Sequence, residues 1–288
     1  MVSIIIPFKY DSKNRIENIL ELLDYSKKYW KFSELIIAEM DESPKIFHLI
    51  PKWCKYVFCK EDSEVWSRSK RINLGLSLVN SEILMILDSD VIIEWPVVEY
   101  IVDQIKKDKI DAATPFENLY HVSRNVIPKM KEKIDINSYL NNNKNDISRV
   151  FKVNGACFLT RTDVFKHIRG MNELFLGWGL EDDELINRYI KLGYRYARVS
   201  GYNAIHINHE RTVNCHPDLN NFEKSITEKN RIFLFNKNQI LDYYGISESV
   251  GKYNALKSPL PADTIELKQL VEKEIGSYKK SDSSNYKI

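Results

Sequence analysis

The sequence is poor in the features that would send a functional reading elsewhere. Its four cysteines (Cys54, Cys59, Cys157 and Cys215) form no C-x-x-C pair, so neither a zinc ribbon nor a dithiol redox motif is written in it. They are expected to be free thiols in a reducing compartment. Lys and Arg number 42 against 40 Asp and Glu, a net charge of +2 that gives no reason to expect a polyanionic partner such as DNA. No apolar run approaches the roughly 20 residues of a membrane span. Ile4-Ile5-Ile6 is too short for a signal-peptide core and is followed at once by Pro7 and Lys9. The expectation is a cytoplasmic protein with no nucleic-acid partner and at most peripheral membrane association. There is no internal repeat. Pro7-Phe8-Lys9-Tyr10-Asp11, after the first apolar run, is not a glycine-rich phosphate loop.

What is present is a globular composition, with 43% hydrophobic and 11% aromatic residues, enough for one large domain or two small ones. Short β-branched or aliphatic runs alternate with helical spacing. Val2 to Ile6 reads as a buried strand ended by Pro7, residues 13–30 as a helix, Leu35 to Ala38 as a strand ending in Glu39-Met40-Asp41, and Tyr56 to Phe58 as a short strand. Residues 69–79 read as a helix, Ile83 to Leu87 as a strand ending at Asp88, and a further helix follows Trp95-Pro96. This alternation predicts an α/β fold, a mainly parallel central sheet with helices on both faces. The polar stretch 117–150, with Asn141-Asn142-Asn143-Lys144-Asn145, is expected to be a surface excursion that builds no core. Regular pattern resumes at Val153 to Leu159, a helix from Asp182 is closed by Gly193, and residues 222–236 and 264–276 have helical spacing. The expected organisation is one unit over 1–236, with halves at 1–116 and 150–236. Residues 237–288 would be a helical extension with a frayed tail.

Ligands of parallel sheets bind beyond the carboxyl ends of the strands. Pro7-Phe8-Lys9, Asp41 and Asp88-Ser89-Asp90 all fall at such ends, so separate segments converge on one crevice. The second signal is Gly177-Trp178-Gly179-Leu180-Glu181-Asp182-Asp183. Consecutive carboxylates repel one another, and a helix N-terminus only partly offsets that repulsion. Together the two acidic clusters suit metal-assisted transfer of a sugar from a nucleotide donor. A hard divalent cation steadies the departing diphosphate, and carboxylates hold the cation.

Five segments resemble those of the GT-A-fold glycosyltransferases, in particular the β-1,4-galactosyltransferase group and related bacterial polysaccharide glycosyltransferases. They are Val2 to Lys9, the aromatic-x-Arg-x-Lys-x-x-Asn-x-Gly segment from Trp66 to Gly75, the D-x-D of Asp88-Ser89-Asp90, Asn154 to Glu184, and His206-Ile207-Asn208-His209. Together they span roughly residues 1–215. The resemblance implies a metal-dependent, inverting transferase that moves a hexose or N-acetylhexosamine from a UDP-sugar to a hydroxyl of a glycan or glycoconjugate acceptor. It implies Asp182 as general base, with Glu181, Asp183 and Trp178 at the acceptor and Trp178 also at the donor. Asp90 and His209 are implied as metal ligands and His206 as a second imidazole; in a continuing strand His206 and His209 would face opposite ways, in a turn they would not. Mn²⁺ suits a carboxylate–imidazole set better than Mg²⁺.

Asp88 is implied at the nucleotide ribose or the metal waters, beside Ser89. Lys9 and Arg68 are candidates for the diphosphate, or simply solvated cations. Trp66 and Phe8, next to Pro7, either flank the nucleobase or are core. Asp41 is where related transferases read the uracil ring. Leu180 departs from the family, standing where animal members often have glycine. Three rival readings stay open: a retaining transferase of the same fold, a sugar nucleotidyltransferase, and a non-catalytic glycan-binding protein. The segments 176–180 and 208–221 are expected to close over a bound donor.

Overall fold

A computed structural model of the chain describes residues 1–61, 65–177, 179–210 and 219–247. In chain order its elements begin β1 (Val2–Phe8), α1 (Lys13–Tyr29), β2 (Glu34–Asp41), β3 (Lys55–Lys60), α2 (Arg68–Leu76), β4 (Ile83–Leu87), β5 (Val91–Ile92) and α3 (Trp95–Lys106). There follow β6 (Ala112–Thr114), β7 (Asn118–Val122), α4 (Ile136–Asn142), β8 (Ile147–Phe151), β9 (Cys157–Arg161), α5 (Thr162–His167) and α6 (Glu181–Lys191). The last are β10 (Tyr196–Arg198), β11 (Asn203–Ile207), α7 (Leu219–Leu234) and α8 (Lys237–Tyr244).

Seven strands form the main sheet in the order β10-β6-β9-β4-β1-β2-β3. β1 pairs in parallel with both β2 and β4, whereas β9 runs antiparallel between β4 and β6. The two-residue period of a strand sorts side chains onto its faces. Val2, Ile4, Ile6 and Phe8 enter one core with α1 and α3, while Ile5 enters the other with α2, α5, α6, α7 and α8. Helices thus cover both faces, as the alternation predicts.

β1 runs through Pro7 and does not stop there, with Pro7 opposite Ala38 of β2. The pairing of β1 with β4 has already ended at Ile5, so on that side the missing N–H of Pro7 removes no bond. Gly75 explains how α2 lies so close to the sheet, since a Cβ there would meet Ile5 Cγ2 at 2.8 Å.

Residues 117–150 are the larger correction. They are not a coreless excursion: they supply β7, β8 and α4, and β7 and β8 join β5 and β11 in a four-stranded sheet ordered β5-β11-β7-β8. Leu119, Val122, Val126, Met130, Ile136, Tyr139 and Leu140 are buried at scattered positions between polar residues, so no long apolar run marks the segment. Its polar groups are tied down locally, with Asp146 accepting from Ser123, Asn125 and the Tyr139 hydroxyl. The candidate helix at 264–276 and the tail lie outside the described residues. Of the four cysteines, Cys54, Cys59 and Cys157 are free, and Cys215 lies outside the described residues.

Candidate active site

The loop after β4 is held at each of its three residues by a different part of the chain. Asp88 Oδ1 accepts from Arg68 Nε at 2.7 Å, Ser89 Oγ from Arg15 Nε at 3.3 Å, and Asp90 faces His206 and His209. Arg68 opens α2, whose N-cap Ser67 accepts from Lys70 N. Arg15 lies in the first turn of α1, capped by Ser12.

Asp90 is the centre of the first cluster. His206 Nε2 lies 3.3 Å from its Oδ1, and His209 Nε2 lies 3.1 Å from its Oδ2. β11 ends at Ile207 and the chain then turns, which brings His209 back to the side of His206. Ile207 N donates to the Asp90 carbonyl and Asn18 donates to the Ile207 carbonyl, which fixes the turn. His209 Nδ1 sits 2.7 Å from the Glu210 carbonyl, which only accepts, so this nitrogen carries the proton. A neutral ring would then aim the lone pair of Nε2 at a carboxylate oxygen. A cation, proton or metal, resolves that contact. Burial alone would raise the Asp90 carboxyl, but the two imidazoles outweigh it and hold it well below the usual range. Burial likewise opposes charge on His209, and the hydrogen bond to Asp90 wins, so its pKa is raised. One oxygen and two nitrogen donors lie within 4.8 Å of one another. This donor set fits a divalent transition ion.

The second cluster is built around Arg68. Its Nη1 donates to Asp182 Oδ1 at 2.7 Å, so one buried guanidinium spans Asp88 and Asp182. β9 explains the meeting: lying antiparallel beside β4, it puts its entry next to the carboxyl end of β4, where Asp88 N donates to the Ala156 carbonyl. Gly155 then faces Asp182, and a Cβ there would stand 2.2 Å from Asp182 Oδ2. Gly177 is bridged to Ser67, which joins the glycine–tryptophan segment to the start of α2. Burial raises the Asp182 carboxyl; Arg68 works against that shift without cancelling it, and Asp88 adds to it. Glu181, also buried, is pushed well above the usual carboxylate range by desolvation and then by Asp182. Its Oε2 and Arg68 Nη2 have no hydrogen-bond partner among the described residues. Asp183 accepts from Asn154, which also accepts from Arg198.

Leu180 is the N-cap of α6, at φ +76° and with no side-chain capping bond. Leu adopts this left-handed backbone at a cost of roughly 1–2 kcal/mol that a glycine would avoid.

The other predicted residues divide. Phe8 is fully buried in the core, not beside the cleft, because the alternation of β1 turns it inward with Ile4 and Ile6. Pro7 is buried too. Trp66 is buried, and its ring already lies against two guanidinium groups, Arg15 at 5.1 Å and Arg71 at 4.5 Å. Arg68 is not a solvated cation but is engaged by two carboxylates. Lys9 and Asp41 lie at the strand ends as expected, partly exposed. Trp178 and residues 211–218 of the expected closing segment lie outside the described residues. Arg15, Asp11, Asn154 and Gly155 were not given site roles by the sequence reading. Asp11 accepts from Arg15 and lies 3.8 Å from His209 Nδ1, contacts that no local motif announces.

Residues 137–211 match the family model described as the N-terminal domain of galactosyltransferase. This stretch carries Asn154, Gly155, the acidic start of α6 and both histidines. Staphylococcus aureus TarS residues 1–349, in complex with UDP-GlcNAc, superposes with a TM-score of 0.55 at 16% identity, covering 84% of this chain and 71% of that one. The fold is the GT-A fold of glycosyltransferases. A longer TarS structure gives a TM-score of 0.52 at 15% identity over 84% of this chain and 42% of that one. A Drosophila β-1,4-galactosyltransferase 7 variant with manganese, UDP-Gal and xylobiose gives 0.40 at 16% identity, over 68% and 63%, too slight a likeness to carry an inference. Among curated proteins there is no match. The resemblance to GT-A glycosyltransferases, the fold class and the assignment as a glycosyltransferase stand on the family match and the fold together. Among the described residues no helix is long and apolar enough to cross a membrane.

Proposed function

We propose that this GT-A chain is a metal-dependent, inverting transferase that moves a hexose or N-acetylhexosamine from a UDP-sugar to a glycan hydroxyl. The observation that carries the reading is the convergence of two acidic clusters, Asp90–His206–His209 and Asp88–Arg68–Asp182, at the two ends of one D-x-D loop. The UDP-GlcNAc bound by TarS, a neighbour in fold, supports a UDP-sugar donor for this chain.

Asp90, His209 and His206 would hold a divalent ion, with Mn²⁺ favoured by the nitrogen donors. Such an ion, when bound, neutralises charge on the departing diphosphate. Asp88 and Ser89 lie beside it for the ribose, and Asp41, Lys9, Trp66 and Trp178 remain candidates for the rest of the donor. Asp182 takes the proton of the acceptor hydroxyl. The acceptor oxygen forms a bond to the anomeric carbon as the bond from that carbon to the diphosphate oxygen breaks. UDP leaves with the electron pair, and the configuration inverts. Glu181, Asp183 and Trp178 would shape the acceptor side.

Incubation with a panel of UDP-sugars and Mn²⁺, followed by UDP release and the anomeric configuration of the product, tests this reading. Metal-dependent release with an inverted product is expected. A retained configuration would replace the inverting mechanism, release of a nucleoside triphosphate with added pyrophosphate would favour a nucleotidyltransferase, and glycan binding without turnover a non-catalytic protein.

A further inference from the structure

We infer that Arg68 is the positioning residue of the transfer reaction: it holds Asp182 in place and ionised and ties it to Asp88, rather than binding the diphosphate. The inference rests on the reading of Asp182 as base. Arg68 is buried, and its Nε and Nη1, which point in different directions of one rigid plane, are each committed to a carboxylate at 2.7 Å. Such charge-assisted bonds fix direction as well as distance. The partners come from elements far apart in sequence, Asp88 after β4 and Asp182 in the first turn of α6.

Asp182 is confined on its other side. Its Oδ2 packs against Gly155 so closely that a Cβ would overlap it at 2.2 Å. Arg68 on Oδ1 and the bare Cα of Gly155 beside Oδ2 therefore define one position for the carboxylate. Without Arg68, a buried carboxylate beside Asp88, Asp183 and Glu181 would protonate and lose its capacity to accept a proton. Asp88 lies in the D-x-D loop, so the guanidinium also ties the proposed base to that loop. Lysine cannot replace it, because an ammonium is a point charge on a flexible stem and cannot hold two carboxylates in the fixed directions of a rigid plane.

The test compares wild type with Arg68→Lys, Arg68→Gln and Gly155→Ala. The first readout needs no turnover: the carboxyl of Asp182 is titrated by ¹³C NMR, its signal assigned by its loss in Asp182→Asn. In Arg68→Gln the titration midpoint is expected to move up by at least one pH unit. The second readout is steady-state transfer. Arg68→Lys and Gly155→Ala are expected to cut kcat by about 10²-fold, the cost of misplacing a reacting group by an ångström, with the KM for the UDP-sugar changed less than about threefold. The acid limb of kcat/KM should shift to higher pH in Arg68→Lys. A tenfold rise in KM with kcat and the acid limb unchanged would overturn the inference and return Arg68 to the diphosphate. An unmoved Asp182 titration in Arg68→Gln would overturn it as well. Should no UDP-sugar be turned over by wild type, the function fails on its own, and the NMR titration still decides whether Arg68 governs Asp182. Gly155→Ala leaves Arg68 intact and covers the case in which Arg68→Gln does not fold.

Discussion

The two acidic clusters of this molecule solve the problem of buried charge in opposite ways. Around Asp90 the carboxylate is balanced by two imidazoles and driven far toward its ionised form. Around Asp182 a single guanidinium serves several carboxylates, so burial raises the pKa of both Asp182 and Glu181, with Arg68 holding the shift back. Both clusters hang from one three-residue loop. The difference lies in the ratio of neutralising to acidic groups rather than in depth, because both sites are buried. The outcome suits the two proposed roles, since a metal ligand must stay anionic whereas a general base must be able to hold a proton.

The largest expected effect falls on the second cluster. Asp182→Asn should lower kcat by about 10²–10⁴-fold while leaving UDP–Mn²⁺ affinity, read by calorimetry, near that of wild type. Loss of metal affinity in that variant would show that the clusters do not act separately. Next comes the first cluster. Asp90→Ala and His209→Ala should raise the Mn²⁺ concentration for half-maximal activity by more than the roughly 10–100-fold of a lost outer-shell partner, and His206→Ala by less. Excess chelator should abolish turnover, and full activity in chelator would dissolve the contrast altogether.

A pH dependence sharpens it further. Asp182 must be ionised to act, and its pKa is raised above the ordinary 3.8, so kcat/KM should fall as the pH is lowered through a midpoint above that value. An acid limb at or below 3.8 would remove the burial argument. Glu181 offers a stability counterpart. Its folded pKa lies above the ordinary 4.5, so its contribution is fully present below 4.5 and is lost as the pH rises through the higher folded value. Glu181→Gln should therefore gain in Tm over wild type as the pH is raised above 4.5, and a gain that is flat with pH would refute the shift. The smallest effect concerns the turn before the acids. Leu180→Gly should stabilise the protein by about 0.5–1 kcal/mol in urea unfolding, and a loss of stability there would mean that packing of the Leu180 side chain outweighs its left-handed backbone.

Much of this was legible in the chain. The strand and helix alternation, the strand-end placement of Asp88 to Asp90 and the acidic start of α6 are local patterns, and local patterns survive folding. The polar segment 117–150 was not legible, because its core residues are scattered between polar ones and its order depends on Asp146 gathering Ser123, Asn125 and Tyr139. The choice for Phe8 between nucleobase and core was not legible either: the two-residue alternation of β1 sends it inward, which nearness to the strand end does not reveal.

By itself the sequence determined which groups could do chemistry, since residue type sets which atoms bind metals, carry charge or take protons. Only the tertiary structure decided their pairing. It turned the chain after Ile207 so that His209 faces Asp90, and it set β9 antiparallel to β4 so that Gly155 and Ala156 meet the acids of the two motifs. It also laid Arg68 between carboxylates 20 and 114 residues away in the chain. The physical reason is that charge interactions depend on distance and burial in space, and neither quantity is set by position along the chain.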